Sequence, residues 1–144
     1  MHKPKVLYSG PFFNGDEIKA AVNCLENGGW LPAGPNVAKF EQEFSRKFNF
    51  TESLMVNSGS SANLIMIAAL KKYFDWPDGA EIIVSVVGFP TTVAPILQNN
   101  LVPRFVDIEW DSLNWDLKQV EQVVNNKTVA LINSPVLGNP CDID

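Results

Sequence analysis

The chain has 144 residues, 46% hydrophobic and 19% charged, a composition that supports a sizeable core and is that of a globular, not a disordered, protein. A net charge of −5 without any basic run argues against a nucleic-acid surface, and no apolar stretch approaches the roughly 20 residues of a membrane helix. Two cysteines without paired spacing and one histidine, His2, argue against a disulfide framework, a zinc site or a His-dependent triad.

Met1–Lys5 leads into no apolar run of secretory type, so a reducing cytoplasm is the expected setting. Asn14 is placed to cap a first helix, with Glu17 three residues on reaching back in a capping box. Ile18, Ala21, Val22 and Leu25 form its apolar stripe, and Gly28-Gly29 ends it. Beyond the loop Trp30-Leu31-Pro32-Ala33-Gly34-Pro35, a second helix carries Val37, Phe40, Phe44 and Phe48 at helical spacing. Those rings are expected to be core, and residues 1–50 read as an N-terminal helical segment.

From residue 51 onward strands and helices alternate. Strands are expected at Leu54–Val56, Glu81–Val86, Arg104–Ile108 and Thr128–Ile132. Helices fall at about Ser61–Phe74, Thr91–Gln98 and Leu117–Val124. Pro77-Asp78-Gly79, Asn99-Asn100, Pro103 and Asp111-Ser112 supply the turns. Short strand–helix connections imply βαβ crossovers and an α/β fold with a mainly parallel sheet. Four strands alone leave open edges and an uncovered face. Residues 51–144 are therefore expected to be the first part of a large domain that is incomplete in this chain.

In open parallel sheets, ligands gather outside the carboxyl ends of the strands. After the first expected strand comes Asn57-Ser58-Gly59-Ser60-Ser61-Ala62-Asn63, leading into a long helix. Such a turn aims backbone N–H groups, hydroxyls and the positive end of a helix dipole at one spot, and its usual occupant is a phosphate. Gly88-Phe89-Pro90-Thr91-Thr92 follows the second strand and brings an aromatic ring to the same edge. Asp107-Ile108-Glu109 follows the third, and Asn133-Ser134-Pro135 with Leu137-Gly138-Asn139-Pro140 the fourth. Each piece has an ordinary structural reading: a common Ser/Gly turn, a core phenylalanine, a turn aspartate, an Asn-Pro turn, a tryptophan plug at Trp30. Together they suggest a flat phosphorylated cofactor held by stacking. Neither a G-x-x-x-x-G-K-[ST] P-loop nor a G-x-G-x-x-G fingerprint occurs.

These blocks resemble the N-terminal part of the DegT/DnrJ-type sugar aminotransferase family of fold-type I pyridoxal phosphate (PLP) enzymes. The resemblance runs almost end to end, through Gly28-Gly29-Trp30-Leu31, Gly34-Pro35, Phe40-Glu41, Val56 to Leu64, Asp78 to Ile83, and Val102 to Ile108. Asn57–Leu64, Gly88–Thr92 and Leu137–Pro140 look most like its 3-dehydratase branch. Members of that branch act on CDP- or GDP-linked 4-keto-6-deoxysugars on the way to the dideoxysugars of lipopolysaccharide O-antigens. They use the pyridoxamine phosphate (PMP) form, with a histidine where aminotransferases keep the cofactor lysine.

The resemblance implies a three-layer α/β/α large domain with a mainly parallel sheet. It implies that Gly59, Ser60 and Ser61 hold the cofactor phosphate and that Phe89 stacks on the ring. Trp30, Asn133, Ser134 and Asn139 would border the substrate, a nucleotide-linked keto-deoxysugar, in a homodimer. The acidic partner of the pyridinium nitrogen and the deciding lysine or histidine match no position here, so no catalytic residue is assigned and the chain alone is expected to be inactive. No metal ligands are expected, and the two cysteines give no iron–sulfur spacing. A sugar 3- or 4-aminotransferase remains the alternative within the family. A non-catalytic α/β module that binds a phosphorylated ligand or a partner is the alternative outside it.

Overall fold

The computed structural model describes residues 10–27 and 34–141, so the Gly28-Gly29 stop and Trp30 lie outside the described residues. The chain divides into two units, residues 1–55 and 56–144.

In the first unit, helix α1 spans Gly15–Asn27. Its N-terminus is the expected capping box: the Asn14 N–H donates to Glu17 Oε2 at 2.7 Å, and the Asp16 N–H donates to Asn14 Oδ1 at 2.7 Å. The Asn14 N–H, and after it Glu17's own N–H, holds this exposed carboxyl below the ordinary glutamate value. Helix α2 spans Pro35–Phe48, with Pro35 pre-setting φ in its first turn. It closes on Asn49 in the left-handed region (φ 57°), whose N–H donates to Ser45 O. The tail after α2 folds back along it, with the Met55 N–H donating to Glu41 Oε1 at 2.8 Å and Ser45 Oγ to Ser53 Oγ at 2.8 Å.

The aromatic stripe of α2 departs from expectation. Phe40, Phe44 and Phe48 are not core but 51%, 38% and 51% exposed, and the α1 stripe is exposed as well. Helical spacing sets which side chains share a face, whereas burial needs a second apolar layer. The described residues of this unit supply none, so Phe40, Phe44, Phe48 and Phe50 pack on one another with ring centroids 4.5–6.4 Å apart.

The second unit is an α/β sandwich. Its elements run α3 (Gly59–Tyr73), β1 (Glu81–Ser85), α4 (Pro90–Gln98), β2 (Val102–Val106), α5 (Leu117–Val123) and β3 (Thr128–Ile132). The strands form one sheet in the order β2-β1-β3, both pairings parallel, as the alternating pattern implied. β1 is central and buried from Glu81 through Val84. Its alternate side chains serve opposite faces. Ile82 and Val84 join Ile67 of α3, Ile96 of α4 and Leu101, while Ile83 joins Val106 and Val120 under α5. Burying each such isoleucine contributes about 2–3 kcal/mol.

Three strands, not four, are present among the described residues. Leu54–Val56 carries a strand-like composition but no ladder. A strand is defined by its partner, and none of the three strands pairs with this segment. The third expected strand starts two residues early, at Val102, and takes in Pro103, which reads as a turn residue in sequence. β2 is an edge strand, where a proline is tolerated. At the other end of β1, Gly79 (φ +80°) closes a four-residue turn through Ala80 N–H to Pro77 O at 3.1 Å, a backbone state that favours glycine.

Ile82→Ala should destabilise the protein by about 3 kcal/mol in urea unfolding. Phe40→Ala should cost less than about 0.5 kcal/mol. A lowered folded-state pKa means that Glu17's contribution to α1 is complete above the unfolded-state value and lost as pH falls through the folded one. An NMR pH titration should therefore find the Glu17 midpoint below the ordinary glutamate value, and Glu17→Gln should remove the matching loss of α1 amide protection in acid.

Candidate functional site

α3 begins where the Ser/Gly turn ends. Ser58 is its N-cap, extended at φ −162°, and its Oγ accepts from the Ser61 N–H at 3.2 Å and donates to Ser61 Oγ at 3.2 Å. The Ala62 N–H donates to Ser58 O at 3.0 Å. Of the four N–H groups that open the helix, these bonds use those of Ser61 and Ala62. Those of Gly59 and Ser60 have no acceptor among the described residues.

Gly59 and Ser60 are exposed and Ser61 is half-buried. Two free donors, two hydroxyls and the positive end of a 15-residue helix therefore face open space. A Cβ built on Gly59 meets no atom within 4 Å, and its φ is not in the left-handed region. Neither sterics nor conformation within the fold demands glycine there. Helical Cβ atoms tilt toward the N-terminus, so a glycine keeps the approach to these donors clear. This donor set fits a phosphate dianion.

Phe89 lies at the corresponding end of the neighbouring helix. β1 delivers the chain through Val86, Val87 and Gly88 to Phe89, the N-cap of α4, with Pro90 in the first turn. The ring is 70% exposed, so it is not the core residue that its composition alone would suggest. α3 and α4 pack against each other, and Asn63 Nδ2 donates to Thr91 O at 3.2 Å. The second turn of α3, next to the free donors, is thus bonded to the first turn of α4, which directly follows the exposed ring.

The other sequence-predicted residues fall into a second cluster. Asn133 follows β3 directly and its amide contacts Cys141 Sγ, while Ser134 is exposed. Asn139 closes a single 3-10 turn, Val136–Gly138, and donates from Nδ2 to Ser112 O at 2.7 Å, so its amide ties two loops together. Asp107 accepts the Ile108 N–H at 2.8 Å, a turn role. A cleft of about 240 Å³ lies here, lined by Glu109, Ser112, Asn114, Trp115, Asn139 and Cys141 among others. It includes none of Gly59, Ser60, Ser61 or Phe89. Asn114 Oδ1 and Trp115 Nε1 are buried without a partner.

Sequence reasoning missed the capping role of Ser58, the bridge from Asn63 and the orphaned pair at Asn114 and Trp115. Ser58 carried a signal, since Ser-x-x-Ser before an apolar run is a capping pattern. Asn63 and Asn114 carried none, because their partners are 28 and 26 residues away.

Residues 13–144 match the model of the DegT/DnrJ/EryC1/StrS aminotransferase family. The chain belongs to that family. A GDP-4-keto-6-deoxy-D-mannose 3-dehydratase from Yersinia pseudotuberculosis is 39% identical over 145 residues, 97% of this chain and 37% of that protein. The solved Escherichia coli GDP-4-keto-6-deoxy-D-mannose-3-dehydratase, with bound hydrated PLP, aligns at TM-score 0.80 and 33% identity over 90% of this chain and 34% of its own. PseC of Helicobacter pylori, an aminotransferase involved in the biosynthesis of pseudoaminic acid, aligns at TM-score 0.76 and 26% identity, over 87% of this chain and 33% of its own. The chain therefore spans about a third of the length of these DegT-family relatives.

Ser58→Ala should cost about 1 kcal/mol through loss of the cap, measured by urea unfolding. Ser60→Ala, which removes a hydroxyl without a partner among the described residues, should leave the unfolding midpoint unchanged.

Proposed function

We propose that these residues supply the phosphate anchor and the stacking ring of a PLP/PMP-dependent enzyme acting on a nucleotide-linked 4-keto-6-deoxysugar, of the 3-dehydratase branch. One observation carries the reading: the free Gly59 and Ser60 donors open a helix whose next turn is bonded, through Asn63, to the first turn of the helix capped by exposed Phe89. A donor cluster alone is an anion seat, and a ring alone is a surface phenylalanine. Paired, they match a ligand with a phosphate at one end and a flat heterocycle at the other.

In this reading the Gly59 and Ser60 N–H groups and the Ser60 and Ser61 hydroxyls hold the phosphate dianion. Charge-assisted bonds of this kind are about twice as strong as neutral ones. Phe89 covers one face of the ring, fixing its tilt and excluding water from that side. When bound, the cofactor supplies an electron sink for negative charge developing at the carbon next to its nitrogen. Asn133 and Ser134, at the carboxyl end of β3, border the sugar, and Asn139 shapes their loop through Ser112. The proton-transfer residue and the partner of the ring nitrogen belong to parts of the fold that this third of the family's length does not cover. The full enzyme is proposed to be a homodimer.

The similarity to the Yersinia and Escherichia coli enzymes favours dehydratase chemistry. The similarity to the Helicobacter aminotransferase keeps amino transfer as the second reading. Product analysis separates them. The full-length protein, supplied with a GDP-linked 4-keto-6-deoxysugar, PLP and glutamate, should give a product lacking the C3 hydroxyl by mass spectrometry. A product with a new amino group would establish the aminotransferase reading instead, and an unchanged sugar would favour a binding module. Gly59→Ala tests the anchor separately. It keeps the Gly59 N–H but sets a Cβ across the approach to it, so it should leave stability unchanged or slightly raised and weaken PMP binding about tenfold. Equal PMP affinity in this variant would show that the phosphate does not approach past the Cβ position of residue 59, and would overturn this placement of the anchor.

A further inference from the structure

α4 contains a proline where a helix has most to lose from one. Pro95 is the sixth of nine residues, inside the helix and buried. In an α-helix the carbonyl of residue 91 accepts from the N–H of residue 95. Proline has no N–H, and its ring crowds that same carbonyl. Thr91 O is thus deprived of its helical partner two residues from the exposed Phe89, on a half-buried residue where an unpaired carbonyl is costly.

The missing donor comes from the neighbouring helix. Asn63 Nδ2 donates to Thr91 O at 3.2 Å. Asn63 itself stands in α3, three residues beyond Ser60 and so on the turn next to the free donors. Around the bridge, Thr92, Pro95 and Ile96 of α4 and Ile67 of α3 are buried, so the contact is backed by packing.

We propose that Asn63 and Pro95 form a lock that fixes the start of α4 against the start of α3, and that Asn63 is thereby a positioning residue for the cofactor ring. Pro95 vacates a backbone acceptor; Asn63 fills it from across the helix pair. The separation between phosphate donors and ring is then set by a directional bond at the site as well as by apolar contact, which tolerates sliding. The proposal rests on the cofactor reading above. It adds that binding of the ring, as opposed to the phosphate, depends on two residues that touch neither.

The lock separates helix stability from helix docking, and so does its test. In the full protein, Asn63→Leu keeps the approximate size of the side chain but leaves Thr91 O unpaired. Adding Pro95→Ala returns an N–H to residue 95, so the carbonyl is satisfied inside α4 while the bridge stays absent. Unfolding in urea, displacement of PMP by inorganic phosphate, and the induced circular dichroism of bound PMP are measured on wild type, N63L and N63L/P95A. The double variant is expected to recover the stability lost in N63L and to keep wild-type affinity for inorganic phosphate. Its PMP affinity is expected to stay about tenfold weakened, the upper range for a stacking contact, with a reduced dichroic signal. Recovery of PMP affinity and dichroism together with stability would overturn the proposal, leaving the bridge as packing only. Failure of wild type to bind either PMP or inorganic phosphate would overturn the cofactor reading, and the lock with it.

Discussion

β1 is the element on which the second unit depends. It is hydrogen-bonded on both edges, and from Glu81 to Val84 it is buried, with Ile82 and Val84 on one face and Ile83 on the other. A strand so enclosed has one register, because a slip of one residue would carry Ile83 to the α3/α4 face and Ile82 and Val84 to the α5 face. It has one exit as well. The chain leaves the core at Ser85, and after Val86, Val87 and Gly88 it places Phe89 at the head of the next helix. The amino end is fixed by polar contacts. Glu81, 9% exposed, receives Arg104 Nε at 3.0 Å and Asn125 Nδ2 at 2.8 Å, so one carboxylate ties β1 to β2 and to the approach to β3.

From that constraint the site follows in two steps. The buried face of β1 seats α3 and α4 through Ile67 and Ile96, which brings two helix starts to one neighbourhood. The local chemistry of each start then differs. α3 opens with glycine and serines, whose small side chains leave donors uncovered. α4 opens with a phenylalanine N-cap that has no side-chain cap bond and a proline that needs no acceptor. Apolar burial sets where the two helix starts lie, and the residues that escape burial set what each start exposes.

How much of this is legible in the sequence depends on the range of the interaction. The α1 capping box, the C-terminal helix boundaries, β3 and the strand–helix alternation are local and read directly from Asn14, Glu17 and the spacing of apolar residues. The start of α3 after the Ser/Gly turn reads for the same reason, although sequence reasoning missed the cap that Ser58 places on Ser61. What misled were features decided by a partner. Among the described residues, Leu54–Val56 has strand composition but no neighbouring strand, and the Phe stripe of α2 has no opposing layer in its own unit. Pro103 reads as a turn until it is known to lie at a sheet edge. Asn63 is silent in sequence, because its meaning is held by a carbonyl 28 residues away.

Pro103 also gives the sheet a direction of growth. The Val102 N–H points to Ala80 O on the central-strand side and Val106 O accepts from that side, so the intervening position 103 faces away from β1. A neighbour docking on the outside of β2 would find a gap at the start of its ladder, where an imino acid offers nothing to an incoming carbonyl. The flank beyond β3 has no such interruption among the described residues. The sheet thus has one blunted margin and one receptive margin, and further strands can be recruited beside Thr128–Ile132 without disturbing the edge next to Val102–Val106.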